Sequence, residues 1–418
     1  MKYRYRVAIL LFALSVITYL DRVCISVAGP RIQEYLRIGP EEWGWVVGVF
    51  AISYGAFEIP GGWMADRFGP RIVLTRIVLW WSAFTALTGA VSTYPALLLT
   101  RFSFGAGEAG AFPNATASIA SWFPTGERGR AFGVLSVAMQ VGGALSPVLV
   151  IPIQTRYGWR ASFYAFALLG LAWAVVWFLW FRNTPREKRG VSASELREIG
   201  DPAARQRHGL PWPVALVSAN FWAILLMGFC YGYGSYFFFT WLPTYLVRAR
   251  NFTEKELLFT AFLFFFGACA NVGSGVISDL LLKRAGLRAA RCRIGMAGFA
   301  CAAIFVLLAA VTPSRLATLF LLCMSYAGVC FTQPMIFPTC IEVARTFPGS
   351  MAGAQNTTSQ VGSFLSGVLF GYIAKFSGSY DRPLFLLASV LALGALFWLK
   401  INPERELVPE GRPELTQA

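Results

Sequence analysis

The feature that most constrains this chain is a succession of long apolar runs, among them Val7–Leu20, Ile72–Val91 and Ala161–Phe181, separated by brief basic clusters. About 20 consecutive apolar residues let a helix cross the hydrocarbon core of a bilayer, and a helix satisfies its own backbone polar groups there. Charged residues make up 14% of the chain, against about 25% in a soluble globular protein. The class is therefore all-α and membrane-embedded. Twelve spans are predicted, at 6–29, 44–66, 72–92, 95–119, 130–152, 160–181, 217–247, 257–282, 292–312, 315–342, 351–374 and 381–401. The basic start, Met1-Lys-Tyr-Arg-Tyr-Arg, resembles a signal peptide. The apolar run after it continues past Asp21-Arg22 without a cleavage site and is read as the first span, retained.

The net charge of +15 does not point to nucleic acid, because the basic residues sit in the short connections rather than on one stripe. Most of the 36 Lys and Arg residues fall in connections on the side shared by the two termini. That bias places both termini in the cytoplasm of an inner-membrane protein; Arg156 and Arg160 are local exceptions. The eight cysteines lie mostly within apolar segments and have no CxxC spacing, which suits small apolar fillers better than a metal site or a disulfide framework. No cofactor is expected.

The two halves of the chain resemble each other. Gly62-x-x-x-Asp66 after the second span recurs as Gly275-x-x-x-Asp279 after the eighth. Phe112-Pro113 and Phe123-Pro124 recur as Phe337-Pro338 and Phe347-Pro348. A duplicated six-helix unit follows, with the substrate expected at the repeat interface near mid-membrane. The expected domains are an amino-terminal bundle over 1–181, a cytoplasmic linker over 182–213, a carboxy-terminal bundle over 214–401 and a tail over 402–418. A monomer is expected.

Charge inside a span costs at least about 2.5–3.5 kcal/mol at mid-bilayer, so each such residue needs a partner, a wet cavity or a task. Asp21 and Arg22 fall deep in the first span and point about 100° apart, so they cannot face the same neighbour. Arg22 offers a planar fork suited to a carboxylate, and Asp21 is a candidate to titrate; a structural pair locking the first helix to a neighbour is the plainer alternative. Arg101 and Glu108 stand two turns apart on one face, roughly 10 Å along the axis. They cannot pair directly, and each must find partners on other helices; a fixed buried salt bridge is again the plainer alternative. His208, the single histidine, lies in the linker, so proton coupling must rest on Asp21 and Glu108, with Glu58 less favoured. Gly105-x-Gly107-x-x-Gly110 matches the dinucleotide fingerprint by letter. It follows no strand, and small residues here suit close helix approach instead. Gln140, Asn356 and Gln360 are polar residues within apolar spans and are further cavity candidates, with Tyr231, Tyr233, Tyr236, Ser325 and Gln333 weaker ones.

Gly62-x-x-x-Asp66-Arg67-x-Gly69-x-Arg71 resembles the signature loop of the major facilitator superfamily. The resemblance implies that Asp66, Arg67 and Arg71, with Asp279 in the repeat, gate the cytoplasmic side. Tyr19-Leu-Asp21-Arg22, Ile59-Pro-Gly-Gly-Trp63, Arg101-x6-Glu108, Ala111-Phe-Pro113 and Trp241-Leu-Pro-Thr-Tyr-Leu246 are similar to segments of its anion:cation symporter family. That family includes sugar-acid transporters and the sialin and vesicular glutamate carriers. It implies a substrate-contacting tyrosine at Tyr54 and proton coupling at Glu108, with Arg101 beside it. The family usually carries an asparagine where Gln360 stands, and a later proline of the eleventh span is absent. The implied function is proton-coupled import of a small organic anion such as a sugar acid by alternating access, the partners being that anion, protons and membrane lipid. An organophosphate–phosphate antiporter is the nearest alternative. A dianionic phosphate would want a second arginine from the other half, and helices seven, eight, ten and eleven offer none. A membrane enzyme would need a nucleophile–base or metal constellation, which the sequence lacks.

Overall fold

A computed structural model describes residues 2–199, 212–345 and 348–407. His208, part of the expected linker and most of the tail lie outside them. Sixteen α-helices follow in order: α1 Tyr3–Leu36, α2 Pro40–Phe68, α3 Pro70–Ala90, α4 Tyr94–Glu108, α5 Ala111–Trp122, α6 Thr125–Tyr157, α7 Trp159–Trp180, α8 Ala193–Ile199, α9 Trp212–Val217, α10 Ala219–Thr240, α11 Leu242–Arg250, α12 Ala261–Arg288, α13 Ile294–Val311, α14 Arg315–Val343, α15 Pro348–Ser377 and α16 Arg382–Lys400. No strand occurs among the described residues. Two of the expected spans are broken. The fourth divides into α4 and α5, and the seventh into α10 and α11, where Pro243 opens the new helix.

Eight helical stretches among the described residues are long and apolar enough to cross a membrane by themselves. The other passes, α2, α4 with α5, and α15, carry buried polar side chains such as Ser53, Arg101, Glu108, Gln355 and Ser359, as α1 and α6 also do with Asp21 and Gln140. The chain divides into two compact units, one comprising Met1–Ile38 and Val49–Arg205, the other Gly39–Gly48 and Gln206–Ala418. In the first, α1 lies on α6 and α7, and α3 lies on α7 and α4. In the second, α10 lies on α15 and α16, and α13 lies on α16 and α14. The same pairing therefore recurs, pass for pass, as a duplicated six-helix unit requires. The first turns of α2 belong to the second unit, where Gly44 and Gly48 lie against α15.

The break between α4 and α5 has a local cause. Gly110 is in the left-handed region (φ 89°), and a Cβ on it would fall 2.7 Å from the Gly61 Cα of α2. Asn114 donates to the Gly110 carbonyl at 2.7 Å and spans toward the Gly61 carbonyl at 3.4 Å. A Cβ on Gly105 would meet Ser53 and the Phe50 carbonyl, and one on Gly107 would meet Trp80. All three glycines of the dinucleotide-like motif thus serve close helix approach.

The amino terminus is strapped down within the first unit. The buried Glu195 of α8 accepts from the backbone N–H of Tyr3 (3.1 Å) and of Arg4 (2.9 Å), two of the donors that open α1. Arg4, 2% exposed, pairs with Glu198 at 2.8 Å and Glu127 at 2.9 Å. Lys2 and Arg4, hydrogen-bonded to Glu198, hold that carboxyl below its ordinary range.

Gly110→Ala is expected to lower the melting temperature of the purified protein. A left-handed L residue costs roughly 1–2 kcal/mol, and the new methyl meets Gly61 as well. Gly133→Ala, whose methyl meets nothing within 4 Å, is expected to leave the melting temperature unchanged or raise it. Equal losses for the two would show that the α4–α5 break does not depend on Gly110.

Candidate functional site

Four helices of the first unit bring the ionisable residues together. Arg22, in the third quarter of α1, reaches Glu108, the last residue of α4. Its Nε donates to Oε1 at 2.7 Å and its Nη2 stands 2.5 Å from the same oxygen. The guanidinium lies over three rings, Tyr54 at 4.8 Å, Phe50 at 5.2 Å and Tyr19 at 5.5 Å. Such faces attract a cation and replace part of its hydration. The pair is lopsided: the Glu108 side chain is 1% exposed and that of Arg22 is 22%. The cation therefore keeps an open side that the carboxylate does not. Glu108 Oε2 has no hydrogen-bond partner.

Asp21 turns the other way, as the helical offset requires. It is 3% exposed, and neither of its carboxylate oxygens is hydrogen-bonded. The Thr85 hydroxyl of α3 faces it without hydrogen-bond geometry and is likewise unpartnered, while Arg101 and Glu108 act on it through space. Arg101 is buried between α4 and α2, its guanidinium 4.8 Å from the Phe104 ring and 4.9 Å from Phe50. Phe50 thus lies beside both guanidiniums, and Glu108 joins the group through Arg22.

Of the other candidates, Tyr54 is brought to Arg22. Gln140 is buried on α6, two residues before Gly142, whose Cβ would touch the Tyr19 Cβ. That helix packs along α1. Asn356 and Gln360 are half-buried on α15 of the second unit. Around the signature loop, Arg67 stacks on Trp63 and Phe68. Arg71 donates through Nε to the Phe178 carbonyl at 2.9 Å and accepts orientation from Asn183, whose Oδ1 takes the Arg71 N–H. The Asp66 side chain lies outside the described residues. Asp279 is exposed on α12; nearby, Arg291 pairs with Glu342 at 2.8 Å and donates to Ser278. No group of three or more His, Cys, Asp or Glu residues is placed to hold a metal among the described residues.

Two contributors were not singled out from the sequence. Phe50 precedes Tyr54 by four residues, the spacing that puts both on one helix face, so an aromatic pair flanking the Arg22 position was available as a signal. Thr85 carried none, being one hydroxyl in an apolar helix that could as well bond its own backbone.

A chain of duplicated six-helix units with ionisable residues buried in its spans is a multi-pass membrane transporter rather than an enzyme. The profile of the Major Facilitator Superfamily matches residues 11–367, and the chain belongs to that superfamily. It is 36% identical over 393 residues to a probable sulfoacetate transporter of Cupriavidus necator, an alignment that covers 93% of this chain and 91% of that one. It is 29% identical over 401 residues to a probable L-galactonate transporter of Escherichia coli, covering 94% and 87%. Among solved structures, a bacterial homolog of the human lysosomal transporter Spinster superposes with a TM-score of 0.78 at 19% identity, covering 95% and 96%. The resemblance to sugar-acid and organic-anion transporters noted in the sequence agrees with these relatives.

Asp21→Asn is expected to raise the melting temperature of the purified protein, by at least about 1 kcal/mol in stability, because it removes an ionisable group buried without a hydrogen-bond partner. A clear fall in melting temperature would show that the carboxylate has a stabilising partner.

Proposed function

We propose that the protein is a proton-coupled symporter that imports a small organic anion across the inner membrane, with both termini in the cytoplasm, and that it works as a monomer. The observation that carries this reading is the Arg22–Glu108 contact, in which a half-open guanidinium is held by an almost fully buried carboxylate. A substrate carboxylate or sulfonate needs the same guanidinium. While Glu108 is ionised it competes for Arg22; once protonated, it no longer supplies the opposing charge, and Arg22 can take the substrate anion. Substrate and proton are then bound together or not at all, as symport requires. Asp21 would be the second proton carrier, with Arg101 close enough to bias it.

Tyr54 flanks the arginine, and Gln140 lies on the adjoining helix with an amide that can both donate and accept. These would orient the rest of the anion, together with Asn356 and Gln360 of the second unit. Arg67, Arg71, Asp66 and Asp279 are assigned to gating. The relative named for sulfoacetate favours a short acid with an anionic group at each end; those named for galactonate and, in Bacillus subtilis, for galactarate and D-glucarate favour hydroxylated acids. What all these names share is an anionic head, the group that Arg22 would hold.

Binding by the purified protein of sulfoacetate, galactonate, glucarate and inorganic phosphate is read as a rise in melting temperature. One of the organic acids is expected to stabilise it. Arg22→Lys is expected to weaken that ligand about ten- to a hundredfold, since a charge-assisted hydrogen bond contributes about 1.5–3 kcal/mol. Stabilisation by phosphate alone would favour the antiporter reading. In proteoliposomes, Glu108→Gln is expected to keep substrate exchange but lose proton uptake and accumulation against a gradient. Normal proton uptake by this variant would remove Glu108 from the coupling scheme.

A further inference from the structure

We infer that the first unit carries a seat for the headgroup of an anionic phospholipid, formed by Arg6, Arg71, Arg182 and Lys188 where α1 begins and α7 ends. The four cations converge on the last turn of α7. Lys188 Nζ donates to the Trp180 carbonyl at 2.6 Å and sits 4.4 Å from the Trp180 ring. Arg182 Nη1 donates to the carbonyls of Leu179 (3.0 Å) and Phe181 (2.8 Å). Arg71 Nε takes the Phe178 carbonyl at 2.9 Å. Arg6 lies 4.8 Å over Tyr3, which stacks on Trp180.

Part of this is ordinary capping, because the last carbonyls of a helix lack intrahelical partners and attract cations. Capping does not account for the amount of charge. A helix end presents about half an elementary negative charge, and four formal positive charges surround this one. None of the four is paired with a carboxylate among the described residues. Elsewhere cations do find acids: Arg4 has Glu127 and Glu198, Arg250 has Asp381, Arg291 has Glu342 and Arg315 has Glu256. The surplus registers on Lys188, whose ammonium is pushed below its usual range by burial and then by Arg182, Arg6 and Arg71.

The surroundings select a lipid over a soluble anion. Ile9, Ile72 and Leu179, each within three residues of a cation of the cluster, are 56%, 56% and 65% exposed, as side chains are where a span meets acyl chains. The stacked Tyr3 and Trp180 mark the height at which aromatic residues collect beside headgroups. A phosphodiester above and acyl chains below fit this edge, and basic pockets at helix ends hold such headgroups elsewhere.

The test is native mass spectrometry of the full-length protein, titrated with phosphatidylglycerol and with phosphatidylcholine. Phosphatidylglycerol is expected to bind more tightly, and Arg182→Gln/Lys188→Gln to weaken it about fivefold per charge removed. Because that variant also strips caps from α7, Arg6→Gln, which holds no backbone carbonyl, is measured in parallel and is expected to weaken the same lipid about fivefold. Unchanged phosphatidylglycerol binding in Arg6→Gln would overturn the proposal. So would displacement of the lipid by inorganic phosphate at equal concentration, which would make this a site for a soluble anion.

Discussion

Charge buried in a bilayer has few stable arrangements, and the first unit is organised around one of them. Arg22 is tolerable in α1 because Glu108 opposes it and three aromatic faces stand in for water. Glu108 is tolerable because Arg22 holds one of its oxygens. Removing either partner strands the other, and breaking such a pair costs more than the intact pair contributes. The helix contacts that hold α2 against α4, through Gly61, Gly105 and Gly110, are those that keep Phe50 and Tyr54 beside the pair. Packing and electrostatics are therefore one problem here.

The same constraint explains the contrast between Arg22 and Asp21. Neighbours in sequence, they have opposite fates: the cation is paired and half-open, the acid sealed without a hydrogen bond. In the proposed coupling scheme such an imbalance has a use, since an acid left without a hydrogen bond is one whose occupancy by a proton could change between states. A fully satisfied network would be more stable and would have nothing to exchange.

Much of this was legible in the residues. The apolar runs located the passes, though α1 continues to Leu36, well past the expected end at 29, and the recurrence of Gly62-x-x-x-Asp66 at Gly275-x-x-x-Asp279 exposed the duplication. Intramembrane charge singled out Asp21, Arg22, Arg101 and Glu108, and helix geometry excluded a direct Arg101–Glu108 pair. What the pattern could not supply was partner choice. That Glu108 would meet Arg22, and that Asp21 would turn toward Thr85, depends on the rotation of α1 against α3 and α4, which no single-helix periodicity encodes. The break within 95–119 was likewise hidden, because a left-handed glycine changes direction without changing polarity. The strap formed by Glu195 was also hidden, since an acid in a polar linker has no partner until the chain is folded.

That glycine has a further bearing on the chemistry. Gly110 stands two residues beyond Glu108, at the one point where the fourth pass is not a continuous rod. α4 carries Glu108 to its tip, and α5 starts afresh on the other side. The carboxyl thus sits on the end of a lever whose joint is Ala109 and Gly110, the second of them lying close against Gly61. A rotation of a few tens of degrees about two backbone bonds would carry the acid toward or away from its arginine while leaving both flanking helices whole.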